Sequence, residues 1–353
     1  MLIVVALPIL IWFGRDMTFY HDEYAFILQR DLSLDGLLKP HNEHLSATLV
    51  VLYRVLIETI GTGSYWPFLA VTFALHVVVS VIVYVVVRRE AGAAWALGAM
   101  AVVLVLGSGG DDILWAFQSA TVGAVAAGMV AVVIAPRHPA TAAVLLTVAL
   151  ATSGAALAFA AGTALHLLLT RPRALVWLLL PAVVYGTWLI LFGVSAIAPP
   201  KVLELPEYVL TGLNASAAGA IGFTSLALGQ LVLLALLFGF GWLRSISPVV
   251  LSLLAAGVAF FVIAGLARSG LGPQQATAPR YVYIVAPSIV IAGAVVLARV
   301  RRPAGYALGA MALTLALVGN MLLLADAHDR FMTHIVCEQA LTPIQRGSAG
   351  NPC

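Results

Sequence analysis

The sequence predicts an all-α polytopic membrane protein built as one domain. Three observations carry this. The 353 residues are 62% hydrophobic and only 9% charged, with a mean hydropathy of +1.05, far above the soluble range. Apolar runs of roughly 20 residues recur, the length a helix needs to cross a ~30 Å hydrocarbon core. The alternation of apolar and polar residues that marks a membrane barrel is absent.

The basic clusters order the runs. Arg88-Arg89, Arg137-His138, Arg171-Pro172-Arg173, Arg244 and Arg299-Val300-Arg301-Arg302 all fall in very short connections. The positive-inside rule puts these in the cytoplasm. The longer polar segments 15–66, 108–112, 194–224, 267–280 and 325–353 are then outside. On this assignment 14 of the 15 acids lie outside and only Glu90 lies inside.

About eleven transmembrane helices follow: 1–14, 67–87, 91–107, 113–135, 140–152, 154–169, 174–193, 225–243, 247–266, 281–298 and 303–324. The first run gives only about 20 Å of helix, lacks the basic start and cleavage site of a signal peptide, and reads as a span whose beginning is trimmed or whose start codon is mis-assigned. Residues 45–60 are apolar, but Arg54 and Glu58 lie four apart on one face, which suits an interfacial helix in the first outer loop. The thirty residues 140–169 are too few for two full crossings. They predict a half-length helix pair that bends near Ser153-Gly154. No internal repeat divides the chain, so 1–353 is a single membrane domain with a short extracytoplasmic tail at 325–353.

Charge is scarce here, so its placement is informative. Asp22-Glu23 follows the first run beside Tyr20 and Tyr24. Such a carboxylate can act as a base, or the pair can simply end a helix in water. His41-Asn42-Glu43-His44 follows Pro40. Its histidines and Glu43 could ligate a divalent cation together with Asp22, or the cluster could cap the interfacial helix; the spacing is not His-Glu-x-x-His. Asp111-Asp112 opens a helix after a glycine turn, where acids favour the dipole. Trp115 and Gln118, a turn further in, could stack on and hydrogen-bond to a sugar. Arg268 and Arg280 bracket the loop 269–279, and Arg280 leads into Tyr281. These arginines can fork onto a phosphate or snorkel to headgroups. Lys201 is a third cation of this kind. Cys337 and Cys353 are the only cysteines. An extracytoplasmic tail lets them form a disulfide, and a cytoplasmic one keeps them as thiols. No phosphate loop, no Gly-x-Ser-x-Gly and no basic aromatic patch for nucleic acid occurs.

Taken together, Asp22-Glu23 after the first span, Lys39-Pro40-His41-Asn42-Glu43-His44, Asp112-Ile113-Leu114-Trp115-Ala116-Phe117-Gln118 and the modest echo Arg280-Tyr281-Val282-Tyr283 resemble the GT-C superfamily of membrane glycosyltransferases. That superfamily includes the protein O-mannosyltransferases, the lipid A aminoarabinose transferases and many bacterial relatives. The resemblance is best over 15–170, the shared catalytic module; 171–324 match only in layout. It implies an inverting transferase in the plasma membrane with its active site on the extracytoplasmic side. The donor would be a sugar on a polyprenyl phosphate, and the acceptor a hydroxyl of a cell-envelope glycan, lipid or protein. Asp22 would be the base, with Glu23 beside it. Arg280, with Arg268 or Lys201, would hold the lipid phosphate. His41, Glu43, His44, Asp111, Asp112, Trp115, Gln118 and Tyr281 would shape the sugar and acceptor side. No cofactor is implied beyond a possible divalent metal. The chain departs from the superfamily in lacking a large soluble domain after the last span and in carrying two Asp in the second loop where relatives often show Glu. Two other classes remain: a transporter or flippase of lipid-linked sugars, and a non-catalytic assembly subunit. A transporter should carry polar groups near the midplane and an internal repeat. Here His76 and His166 are the exceptions in nearly ion-free spans.

Overall fold

The computed structural model describes residues 1–193, 201–243, 246–300 and 302–340. Among them are sixteen α-helices and no strand. In chain order these are α1 Leu2–Gly14, α2 Glu23–Leu28, α3 Leu34–Leu38, α4 Ala47–Thr59, α5 Trp66–Ala91, α6 Ala93–Leu104, α7 Gly110–Leu114, α8 Ser119–Ile134, α9 Pro139–Leu150, α10 Ala156–Thr170, α11 Leu179–Phe192, α12 Leu205–Ala220, α13 Leu226–Leu243, α14 Pro248–Arg268, α15 Pro279–Ala298 and α16 Arg302–Ala340. Seven helical stretches are long and apolar enough to cross a membrane, and four more apolar helices are shorter. This is the architecture of a helical multi-pass membrane protein.

Local chemistry sets the boundaries. Proline in the first turn starts α5, α9, α12, α14 and α15, where its missing N–H costs nothing. Gly92, with φ of 95°, ends α5, and Arg88 and Arg89 in its last turn suit the dipole. All eleven apolar runs are helical. The four shorter ones, Leu2–Gly14, Pro139–Leu150, Ala156–Thr170 and Leu226–Gly241, include the pair expected to bend near Ser153-Gly154. The break falls at 151–155, between α9 and α10.

The packing is that of membrane helices, where small residues admit close approach. A Cβ on Gly128 of α8 would lie 2.5 Å from Phe159 of α10, and one on Gly162 of α10 would lie 2.7 Å from the Ser252 carbonyl of α14. The hub is α15. Its residues Tyr281 to Ile289 are buried in unbroken succession, as a helix enclosed on all sides requires. It touches α5, α6, α12, α14 and α16. Around this hub the outer helices turn apolar side chains outward; Ile190 of α11 is 84% exposed, a surface suited to lipid.

Three expectations change. Residues 205–220, expected within a polar outer segment, form α12, which buries Tyr208, Thr211 and Gly212 on one face and then every residue from Ala215 to Ala220. The helix thus enters the protein on one side and ends enclosed all round. The last helix does not stop at 324: α16 continues to Ala340. Residues 45–60 do contain a helix, α4, but Arg54 turns away from Glu58 and donates to the Phe26 and Ile27 carbonyls at 2.8 and 2.7 Å. Cys353 lies outside the described residues, and with it the expected Cys337–Cys353 pairing. Arg244 and Arg301 lie outside them too.

Candidate functional site

One cavity of about 600 Å³ opens where the helices meet the first loop, a size typical of ligand pockets. It is lined by the N-terminal ends of α8, α10 and α15, by the C-terminal ends of α14 and α16, and by the loop residues 20–22, 41–44 and Ser46. The basic residues Arg88, Arg89, Arg137, Arg171 and Arg299 sit at the opposite ends of α5, α8, α10 and α15.

The first loop is fastened before it reaches the cavity. Arg30 is buried and donates to the carbonyls of Gly36, Lys39 and Pro40 at 3.1, 2.6 and 2.9 Å. The Trp188 indole of α11 donates to the Leu38 carbonyl at 2.8 Å. These bonds satisfy carbonyls that an irregular segment would otherwise leave open. They deliver Pro40 and the next four residues to the cavity.

His41 to His44 form a tight hairpin turn. The two backbones exchange hydrogen bonds at 3.0 and 2.9 Å. Asn42 and Glu43 take φ of 46° and 71°, the positive values of a type I′ turn. The His41 ring packs edge-on against Phe26 and Phe117. The Asn42 amide donates to Asp22 at 3.3 Å. Glu43 meets Arg268 at 3.5 Å. The His44 ring packs on Gly154, where a Cβ would come within 2.5 Å of Nδ1. One turn thus joins the first loop, the α9–α10 break and the end of α14.

Asp22 stands at the start of α2, but its side chain caps nothing. Its carboxylate faces the cavity, 3.7 Å from His41 Nε2 and 4.0 Å from His21 Nε2. Burial pushes this carboxyl up, but His41, His21 and Arg280 outweigh it and hold it below its usual range. Glu23, its neighbour, points the other way. It is fully buried, does not line the cavity, and accepts from the Tyr53 and Tyr65 hydroxyls at 2.6 and 3.3 Å and from the Tyr20 N–H at 2.9 Å. Burial raises its pKa to about 7 against those hydrogen bonds. The Tyr65 hydroxyl in turn accepts from the Ala116 N–H at 2.8 Å, so Glu23 ties the first loop to the cavity wall.

Two arginines line the same cavity as Asp22. Arg268 donates to the Tyr281 hydroxyl at 2.9 Å. Arg280 lines the cavity with its guanidinium 5.5 Å from the Tyr281 ring, and forms no hydrogen bond or ion pair among the described residues. His44 is driven down to about 4, first by burial and then by Arg268, His41 and Arg280. At neutral pH it is therefore an uncharged imidazole. An aromatic wall of Tyr20, Trp115, Phe117 and Phe331 closes one side, with Gln118 beside it.

Of the residues singled out from the sequence, Asp22, His41, Glu43, His44, Asp111, Trp115, Gln118, Arg268, Arg280 and Tyr281 all line this cavity. Three others do not. Glu23 is turned into the core. Asp112 is fully buried with neither carboxylate oxygen hydrogen-bonded. Lys201 pairs with Glu204 at 3.1 Å on an exposed surface. Sequence reasoning missed Arg330, Phe331 and His334 of α16, which also line the cavity; Arg330 meets Asp111 at 3.3 Å and also pairs with Asp326. The helical spacing of Leu324, Ala327, Phe331 and Ile335, all buried, was the available signal. Among the described residues no three His, Cys, Asp or Glu side chains are disposed to hold a metal ion. His41, His44 and Asp22 do not fit that role, since the His44 ring is turned onto Gly154.

Comparison with family models, curated proteins and solved structures gives no match for the chain.

Proposed function

We propose that the cavity is the active site of a membrane glycosyltransferase, one that moves a sugar from a polyprenyl phosphate to an acceptor hydroxyl with inversion. The observation that supports this most is a carboxylate flanked by two histidines, Asp22, and an arginine without an ion pair among the described residues, Arg280, lining one cavity beside an aromatic wall. A transferase of this type needs a proton acceptor at the incoming oxygen and a cation at the departing phosphate.

In this reading the acceptor O–H lies against Asp22. Its oxygen attacks the anomeric carbon as the bond to the phosphate oxygen breaks, and the proton passes to the carboxylate. The electron pair leaves with the lipid phosphate, whose charge Arg280 meets. A carboxylate held below its usual range is a weak base, so it takes the proton late, once the new bond has made that proton acidic. Trp115 and its aromatic neighbours offer a face for the sugar ring. Glu23 serves as a positioning residue behind Asp22.

A transporter would need polar groups free to act within the spans, and the two histidines there are not free. His76 is instead bonded to the Tyr283 hydroxyl and the Leu104 carbonyl at 2.8 and 3.2 Å, and His166 to the Val132 carbonyl at 2.6 Å. Both are ordinary buried histidines with partners. Side, membrane and acceptor belong to the same proposal: plasma membrane, extracytoplasmic face, cell-envelope acceptor. The glycolipid and envelope-glycan profile of a deletion strain tests it. Loss of one glycosylated species, restored by the wild-type gene and not by Asp22→Asn, is expected; an unchanged profile overturns it.

A further inference from the structure

Three non-glycine residues have positive φ among the described residues, His21, Asn42 and Glu43, and all three line the cavity. Backbone strain of this kind persists where the surroundings demand it, and it gathers at functional sites. Glu43 is the extreme case. It holds the second central position of a type I′ turn, where asparagine followed by glycine is the ordinary solution. Asn42 supplies the first half of that solution and Glu43 refuses the second. Glu43 is unfavourable on a further count: its Oε1 is buried with no hydrogen-bond partner, an arrangement that costs stability. A residue chosen for folding alone would be glycine.

What Glu43 supplies instead is its other oxygen. Oε2 lies 3.5 Å from an Arg268 terminal nitrogen, and both side chains are 13% exposed. The Tyr281 hydroxyl holds the second terminal nitrogen at 2.9 Å. The guanidinium is thus clamped from two sides at the cavity wall, on the helix end next to the start of α15 that carries Arg280. A planar cation fixed this way is preorganised for an oxyanion, because its side-chain entropy is already spent.

We propose that Glu43 is a positioning residue that sets Arg268 as a second cation, beside Arg280, for the phosphate of an anionic lipid ligand. This deepens the glycosyltransferase reading and rests on it. The Asn42-Glu43 turn is then strained for the sake of the site, and stability and ligand binding should part company when the strain is relieved.

The test compares wild type with Glu43→Gly and Glu43→Gln in lipid nanodiscs. Two quantities are read: the Kd for a polyprenyl monophosphate, by native mass spectrometry, and the Tm. Glu43→Gly should match or exceed the wild-type Tm, because glycine adopts positive φ freely, and should bind the lipid phosphate about tenfold more weakly. Glu43→Gln keeps an oxygen for Arg268 and should restore most of the affinity. Equal affinity in wild type and Glu43→Gly overturns the inference while leaving the transferase reading intact. A clear fall in Tm for Glu43→Gly also overturns it, because Glu43 would then serve the fold. If wild type binds no polyprenyl phosphate, the donor site of the transferase reading falls, and this inference with it.

Discussion

Glu23 offers a sharp test of how the first loop is anchored. Its carboxyl is fully buried among Tyr20, Tyr53 and Tyr65, and its pKa rises from 4.5 to about 7. A raised carboxyl pKa means the folded state holds the proton more tightly than the unfolded chain. Below pH 4.5 both states are protonated and the contribution is fully present. As pH climbs toward 7 the unfolded chain ionises first, and stability falls. The loss is complete above about pH 7 and amounts to about 3 kcal/mol, at 1.36 kcal/mol per pH unit. Glu23→Gln removes this titration and keeps the shape. Its amide oxygen accepts from the Tyr53 hydroxyl as the acid does. Thermal unfolding in detergent between pH 4.5 and 8, followed by tryptophan fluorescence, should show the wild type losing several degrees against the variant as pH rises. Parallel Tm–pH curves for the two proteins would refute the buried, proton-holding anchor.

Further outcomes are expected at the cavity and the first loop. Gly154→Val would drive a side chain into the His44 ring, because even a Cβ comes within 2.5 Å of it; activity should drop at least tenfold while circular dichroism stays unchanged. Arg280→Ala should raise the KM for a polyprenyl-phosphate sugar more than Arg280→Lys, because lysine keeps the charge and loses the fork; equal effects would point to headgroup snorkelling. A cysteine at Thr62, in the exposed connection after α4, should react with a membrane-impermeant maleimide in intact cells. Reaction only after lysis would reverse the proposed orientation.

The helical layout was legible because hydrocarbon imposes one rule on every span: long apolar runs, closed by charge or proline. Among the described residues that rule found the seven helices long enough to cross, the four shorter apolar ones and the break at Ser153-Gly154. It failed on α12, where Gly212, Ala215, Ala217, Ala218 and Gly219 carry too little hydrophobicity to register, although their smallness is what lets the helix pack. It failed again at the end of α16, where Asp326, Asp329 and Arg330 read as a departure from the membrane. The apolar stripe at 324, 327, 331 and 335 continues past them and brings Arg330 to Asp111. At the site, chemistry was legible and direction was not. Asp22 and Glu23 are adjacent, but successive helical positions diverge by about 100°, so one reaches the cavity and the other the core. The same limit separates Asp111 from Asp112. The strain in the Asn42-Glu43 turn left no mark in the sequence beyond a missing glycine.

Whether Asp22 takes the acceptor proton in this cavity is decided by single-turnover transfer from a radiolabelled polyprenyl-phosphate sugar to envelope extract, with wild type and Asp22→Asn in the same nanodiscs. Loss of a general base costs ~10²–10⁴-fold in rate. A fall in that range is expected, with donor affinity within about threefold of wild type, because the proposed mechanism gives the lipid phosphate to Arg280 and Arg268 and leaves Asp22 only the proton. Transfer by Asp22→Asn at a rate near that of the wild type would contradict it.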